Sequence, residues 1–320
     1  MIFTVTLNAA VDTTYHLDRV ARHGSNRVTT VAERAGGKGV NVARVLAALG
    51  HDAVATGFAG GATGHLLRAD LAGAGLREEF VPIGGTTRRT VTVVEESAGD
   101  ATVFLEPGPV VSSDEWSQFT VRYRRLLRTA EAVVLSGSLP PGVPPDAYGT
   151  LVALAVDAGV PAVLDAEGPA LLAGLAAGPA LVKPNAAELV ATAGPVAPLA
   201  GARKLRAAGA RAVAVSLGPG GLLLSSPEGD WRARPPQRVR GNPTGAGDSV
   251  VAALTAGLVA GTPWPERLAH AVALAAATVL APLAGSFAPA DHQRLLGEVT
   301  VRPVYPAPPP SSAQGAPCPS

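Results

Sequence analysis

The first apolar run, Ile2–Leu7, is nearly continuous, the pattern of a strand buried on both faces. Thr13–Leu17 and Arg27–Glu33 alternate apolar with polar positions, which predicts strands of a small, exposed sheet. Val40–Leu49 carries helical spacing, Ala53–Phe58 reads as a strand, and Ala62–Ala74 predicts an amphipathic helix that stops at Gly75. Glu79–Ile83, Thr90–Glu95 and Ala101–Leu105 predict antiparallel strands. From Asp114 the pattern turns to helix and strand in alternation. Its short apolar strands fall at Ala132–Leu135, Ala162–Leu164, Leu181–Val182 and Ala212–Ser216. That alternation argues for an α/β fold with a mostly parallel sheet covered by helices on both faces. Leu222–Ser225 and Trp231–Arg234 predict a terminal hairpin, followed by helices at Ala246–Ala260, Pro265–Leu280 and Pro289–Leu296. From Arg302 the chain is rich in Pro, Ala and Ser and is expected to be disordered. The reading is therefore one domain over about residues 1–300, with lid strands inserted at about 13–18, 27–33, 79–83 and 90–105, and a tail over 301–320.

Composition narrows the function. Hydrophobic residues make up 47% and charged residues 16% of the 320, enough for a large core. A net charge of +1 and the lack of an arginine-rich run argue against nucleic acid as a partner. The single cysteine, Cys318, excludes an intrachain disulfide, which fits a cytoplasmic protein. Met1–Asn8 has no basic start, so no signal peptide is expected, and the Ala-rich run Leu268–Ala281 is short for a membrane span. The six histidines show no metal-ligand spacing, which argues against zinc.

Six stretches carry candidate chemistry. Gly241-Asn242-Pro243-Thr244-Gly245-Ala246-Gly247-Asp248-Ser249 reads as a tight turn opening a buried helix, whose free N–H groups form an anion site. Asp248 among those groups is expected to stay ionised and to remove a proton from a hydroxyl attacking a phosphoryl group. A helix start capped by Asp is the competing account. Gly36-Gly37-Lys38-Gly39-Val40-Asn41 lets backbone approach a ligand, with Lys38 as a point charge and Asn41 as donor and acceptor. It is neither a dinucleotide fingerprint nor a Walker A loop. Asp12, after the first strand, is placed to accept hydrogen bonds from sugar hydroxyls or to cap its turn. In Thr86-Thr87-Arg88-Arg89-Thr90 one guanidinium can clamp a phosphate, while Arg89 reads as solvated charge. Lys183-Pro184-Asn185-Ala186-Ala187-Glu188 puts Asn185 and Glu188 on one helical face, suited either to Mg²⁺ with its waters or to a capping box. Ser216-Leu217-Gly218-Pro219-Gly220-Gly221 mimics a nucleophile elbow, but strand follows it, so a phosphate-accepting turn fits better than a hydrolase.

Taken in order, these stretches resemble the ribokinase-type (PfkB) carbohydrate kinases, most closely the branch of 1-phosphofructokinase, tagatose-6-phosphate kinase and the minor 6-phosphofructokinase. The matching segments are Thr6-Leu7-Asn8-x-x-x-Asp12, Ala35-Gly36-Gly37-Lys38-Gly39-x-Asn41, Ser136-Gly137-Ser138-Leu139-Pro140, Lys183-Pro184-Asn185-x-x-Glu188, Ser216-Leu217-Gly218 and Gly245-Ala246-Gly247-Asp248-Ser249. The resemblance implies a Rossmann-like sheet with a small β lid, often shared across a homodimer. It implies a soluble enzyme with ATP and Mg²⁺ as cofactors and a sugar phosphate as the small-molecule partner. Asp248 would be the base, with Gly245, Ala246 and Gly247 as the anion hole. Asp12, Gly37, Lys38, Asn41, Arg88, Arg27 and Ser138 would meet the sugar phosphate. Lys183, Asn185, Ser216, Gly218, Gly221 and Gly247 would meet ATP, and Asn185 with Glu188 would hold the metal through water. Three departures stand out: Ala9 in place of the usual Pro, the lead-in Asn242-Pro243-Thr244, and Asp165-Ala166-Glu167-Gly168 without the usual hydroxyl residues. The Lys38 version of the glycine-rich stretch resembles the 1-phosphofructokinase and tagatose-6-phosphate branches, whereas Gly60-Gly61-Ala62-Thr63-Gly64 resembles the minor 6-phosphofructokinase. Fructose 1-phosphate is the expected acceptor. The rivals are tagatose 6-phosphate or fructose 6-phosphate as acceptor, and, from another class, a non-catalytic sugar- or nucleotide-sensing module. A nicotinamide-dependent oxidoreductase is disfavoured for lack of the dinucleotide fingerprint.

Overall fold

The computed structural model describes residues 1–98, 100–235, 239–281, 283 and 285–304. The strands are β1 (Ile2–Thr6), β2 (Ala10–Leu17), β3 (Thr30–Gly36), β4 (Ala53–Ala59), β5 (Arg77–Glu78), β6 (Val81–Pro82), β7 (Arg88–Glu95), β8 (Asp100–Leu105), β9 (Ala132–Ser136), β10 (Ala162–Asp165), β11 (Leu181–Val182), β12 (Ala212–Ser216), β13 (Leu222–Ser226), β14 (Gly229–Arg234) and β15 (Thr300–Pro303). The helices are α1 (Lys38–Ala48), α2 (Gly61–Gly73), α3 (Ser113–Leu127), α4 (Ala147–Asp157), α5 (Gly168–Ala176), α6 (Ala186–Ala193), α7 (Pro198–Ala207), α8 (Ala246–Val259), α9 (Trp264–Leu280) and α10 (Pro289–Leu296).

The large sheet runs β15-β14-β13-β12-β11-β10-β9-β1-β4-β5, with β6 also paired to β4. It is parallel from β5 to β12 and antiparallel from β12 to β15. Period-two alternation sorts its residues between two cores. Val133 and Leu135 of β9 and Val213 and Val215 of β12 join one core; Ala132, Ala212 and Ala214 join the other, where α1, α8 and α9 pack. Small residues on that second face let α8 lie close to the sheet. Buried hydroxyls then tie α8 to α9, with Ser249 Oγ 2.6 Å from Thr278 Oγ1. Among the described residues no helix is long and apolar enough to cross a membrane.

The small sheet has the order β3-β2-β7-β8. β2 pairs antiparallel with β3 but parallel with β7, so Ala10 faces Arg88 and Asp12 faces both Thr90 and Arg34. Its root is pinned by Asp70 on α2, which accepts from the Ala35 backbone N–H at 2.9 Å and ion-pairs with the buried Arg44 of α1. β8 is exposed along its whole length.

Three expectations are corrected. Residues 79–83 do not join the small sheet, because Val81 and Pro82 pair parallel to Phe58 and Ala59 of β4 in the large one. The strand expected at Arg27–Glu33 begins at Thr30, which leaves Arg27 in an exposed loop. The expected tail starts too early, since Thr300–Pro303 closes the sheet against β14; residues 305–320 lie outside the described residues.

Candidate active site

The chain leaves β1 for α1 and β4 on one side and returns to β9 on the other, a reversal of strand order that opens a crevice at the carboxyl ends. Asn8 follows β1, Ser138 follows β9, Asp165 ends β10, Lys183 follows β11 and Ser216 ends β12, so all five sit on that rim. The first turns of α1 and α8 close over it.

Gly245 is the N-cap of α8 at φ 81°, a left-handed conformation that costs glycine little and most other residues more. In that first turn the N–H groups of Gly247 and Asp248 have no intrahelical partner, whereas the Ala246 N–H donates to the Pro243 carbonyl at 3.2 Å. A Cβ on Gly247 would meet only Lys183 Nζ, at 3.8 Å, so the space before this turn is open. Asp248 is 7% exposed and accepts from Asn41 Nδ2 at 2.9 Å. Burial, and next the nearby Asp165, push its pKa up to about 7 against the pull of Asn41, Lys38 and Lys183. The expectation of a firmly ionised carboxylate is thus corrected: loss of water outweighs the helix terminus. A group titrating near neutrality is well matched to general-base work.

Asp165, 1% exposed, lies between two ammonium groups, with Oδ1 3.4 Å from Lys38 Nζ and 3.4 Å from Lys183 Nζ. Burial lowers the Lys38 pKa, but Asp165, Glu188 and Asp248 together leave it above its ordinary value. The sequence noted Asp165 only as part of a divergent loop. Its place as the last residue of a parallel strand was the available signal.

Two cavities flank this cluster. The smaller, about 150 Å³, is lined by Gly37, Lys38, Arg88 and Ser138, together with Thr6, Asn8, Gly137, Ala166 and Glu167. Arg88 Nε donates to the Asn8 carbonyl at 3.2 Å, and Asn8 Nδ2 donates to Ser138 Oγ at 3.0 Å. Two cations beside an amide and a hydroxyl suit an anionic group. The larger cavity, about 970 Å³, has Asn185, Ser216, Gly218, Gly221, Ala246 and Gly247 on its polar side. Leu222, Val239, Val250, Val272, Ala276 and Val279 form an apolar wall that local motifs did not reveal. A phosphate-sized polar end joined to an apolar slot suits a nucleotide.

Seven predicted residues line neither cavity: Asp12, Arg27, Asn41, Lys183, Glu188, Gly245 and Asp248. Arg27 lies in an exposed loop. Asp12 sits at the lid root, where burial raises its pKa to about 6 against a hydrogen bond from Thr90 and the charges of Arg88, Arg34 and Arg44. Asn185 and Glu188 form a full capping box: Asn185 Oδ1 accepts from the Glu188 N–H at 2.9 Å and Glu188 Oε2 from the Asn185 N–H at 2.8 Å. One carboxylate oxygen stays free of that box. Among the described residues no cluster of three or more metal-ligating side chains exists. The donors fit only an ion that keeps its waters and is held chiefly by bound phosphates, which suits Mg²⁺.

Residues 5–291 match the family model of pfkB family carbohydrate kinases. The chain is 33% identical to phosphofructokinase-2 of Escherichia coli solved with potassium, with a TM-score of 0.86 over 92% of this chain and 98% of that one. It is 26% identical to a Thermotoga maritima protein described as a possible 1-phosphofructokinase, with a TM-score of 0.86 over 95% of this chain and 99% of that one. Arabidopsis thaliana ribokinase, at 22% identity and a TM-score of 0.73 over 92% and 98%, shares the fold.

The pKa of Asp248 has a consequence for stability. Its folded value of about 7 lies above the ordinary 3.8, so between those values the folded state holds the proton more tightly. Its contribution therefore falls as pH rises from about 4 to 7. Asp248→Asn should raise the unfolding midpoint at pH 8, by the equivalent of about 1–4 kcal/mol, and leave it nearly unchanged at pH 4. Calorimetry at both pH values checks this; a variant less stable at pH 8 contradicts it.

Proposed function

Since the chain belongs to the pfkB family of carbohydrate kinases, we propose that it transfers the γ-phosphoryl group of ATP to a free hydroxyl of a ketohexose phosphate, fructose 1-phosphate before others. The carrying observation is the place of Asp248, buried in the first turn of α8, bonded to Asn41 and within the field of Lys38, which lines the smaller cavity. In this reading the smaller cavity takes the acceptor and the larger one takes ATP. Asp248 accepts the hydroxyl proton as that oxygen attacks the γ-phosphorus and the bond to the ADP oxygen breaks. The N–H groups of Gly247 and Asp248 face the charge that spreads over the phosphoryl oxygens. Lys38 and Lys183 add fixed positive charge beside them. Mg²⁺, when bound with ATP near Glu188, would neutralise phosphate charge.

Two cations in so small a cavity favour an acceptor that already carries a phosphate, since a neutral sugar gives them nothing to bind. Fructofuranose has near two-fold symmetry, so fructose 1-phosphate offering its 6-hydroxyl resembles fructose 6-phosphate offering its 1-hydroxyl. The second acceptor has its own support in the 32% identity to Escherichia coli phosphofructokinase-2 solved with fructose 6-phosphate. Coupled assays with ATP and fructose 1-phosphate, fructose 6-phosphate, tagatose 6-phosphate and free fructose decide the matter. The expected order puts fructose 1-phosphate first by kcat/KM. A preference for fructose 6-phosphate moves the acceptor to the second reading, and a lack of turnover on every sugar favours a sensing module.

On the best acceptor, Asp248→Asn should lose about 10³-fold or more in kcat while sugar phosphate still binds by calorimetry. Wild-type turnover would remove Asp248 from the mechanism. Arg88→Ala should raise KM for the sugar phosphate by about 10- to 100-fold, with KM for ATP within about twofold. Equal effects on both substrates would argue against a phosphate clamp. The lid is read as the contact for a second copy of this chain. Val103, Phe104 and Leu105 on the edge strand β8 are each more than half exposed, and a relative, Escherichia coli phosphofructokinase-2, is described in a tetrameric inhibited form. By light scattering the wild type should run as a dimer and Phe104→Asp as a monomer; equal masses would exclude the lid contact.

A further inference from the structure

Proton removal by Asp248 and phosphate capture by Lys38 and Arg88 leave the carboxylate of Asp165 without a chemical part. It is nevertheless almost wholly buried, at 1% exposure, and one of its oxygens faces two ammonium groups at the same 3.4 Å. Lys38 lines the smaller cavity. Lys183, itself 4% exposed, has its Nζ beside Gly247 in the first turn of α8. The two lysines come from different elements, Lys38 from α1 and Lys183 from the segment after β11, and meet at one anion. A lysine ammonium has three donors on a long flexible stem, and such a stem holds a position only where something fixes its end. At 3.4 Å the contact is an ion pair longer than an ordinary hydrogen bond, so each ammonium keeps donors to turn toward a ligand.

Resting on the kinase reading, we infer that Asp165 is a positioning residue that anchors Lys38 and Lys183 near Asp248 and the first turn of α8, so that acceptor phosphate and transferring phosphoryl group meet cations already in place. Preset charge of this kind acts on the rate more than on affinity, because it needs no rearrangement as the transition state forms. The same carboxylate tunes the base. The charged groups acting on Asp248 are Asp165 at the end of β10, Lys38 on α1 and Lys183 after β11, with Asn41 as a neutral donor. Of the charges, only Asp165 pushes its pKa upward.

The test is Asp165→Asn in the full chain, assayed with ATP and the best phosphosugar. A loss of about 100-fold in kcat is expected, with KM for either substrate changed by less than about fivefold. The acidic limb of the kcat–pH profile should move to lower pH, since the anion that raises the base is gone while both lysines remain. A merely structural role would lower stability without moving that limb. In a Lys38→Met background the same substitution should cost far less than in the wild type, because the two act as one unit. A kcat within about threefold of wild type, an unmoved limb, or losses that simply multiply would each overturn the proposal. Should Asp165→Asn not fold, Asp165→Ser, which admits water, carries the same readouts. Wild-type protein inactive on every sugar phosphate would strike the functional reading instead; active wild type with an unaffected variant strikes only the role of Asp165.

Discussion

Holding charge out of water is the constraint on which this crevice depends. A buried carboxylate is costly unless it is paired and hydrogen-bonded. Here Asp165 and Asp248 are both nearly buried and are matched by the ammonium groups of Lys38 and Lys183, with Asn41 donating to Asp248. The four charges sum to zero, so the site needs no strong field from the rest of the chain, whose net charge is only +1. The balance is uneven in detail. Both lysines sit on Asp165, and burial, with the charge of Asp165 next, pushes the Asp248 pKa up to about 7 against Asn41 and the two lysines.

The fold supplies that arrangement through one repeated device. The parallel strands β1, β9, β10, β11 and β12 end on the same rim, and each contributes a residue at or just beyond its end. The alternation sorts Val133, Leu135, Val213 and Val215 to one face and Ala132, Val134, Ala212 and Ala214 to the other, where α1, α8 and α9 pack.

Much of this was legible in the sequence because a sheet buried on both faces forces near-continuous apolar runs, which short strands such as Ala132–Leu135 display. What failed was partner choice. Glu79–Ile83 alternates like the lid strands, and nothing local says that Val81 and Pro82 pair with β4. Thr300–Pro303 has the proline and arginine of a tail, but an edge strand tolerates both, since one side needs no ladder. The site glycines and Asp248 were visible as a motif. Asp165 was not singled out, because its importance comes from two lysines 127 and 18 positions away in the chain, which only the folded sheet brings to it. The capping box of Asn185 and Glu188 was read both ways, and the geometry shows that one pair of side chains does satisfy the helix start while a carboxylate oxygen is left for other use.

The smaller cavity is lined from both sheets. Lys38, Asp165 and Asp248 hang from the large sheet and the helices packed on it, whereas Arg88 opens a strand of the small sheet beside β2. Because β2 and β7 are neighbours in parallel register, Asp12 and Arg88 must move together when the small sheet tilts. The root of that sheet is held by the Arg44–Asp70 pair and the Asp70 bond to Ala35, which fix its pivot more firmly than its exposed tip at β8. A ligand phosphate bound by Arg88 and Lys38 at once would therefore span the two sheets, and its own charge would draw the lid toward the large one. The two cations of the smaller cavity are thus mounted on different elements, Lys38 on α1 and Arg88 on β7.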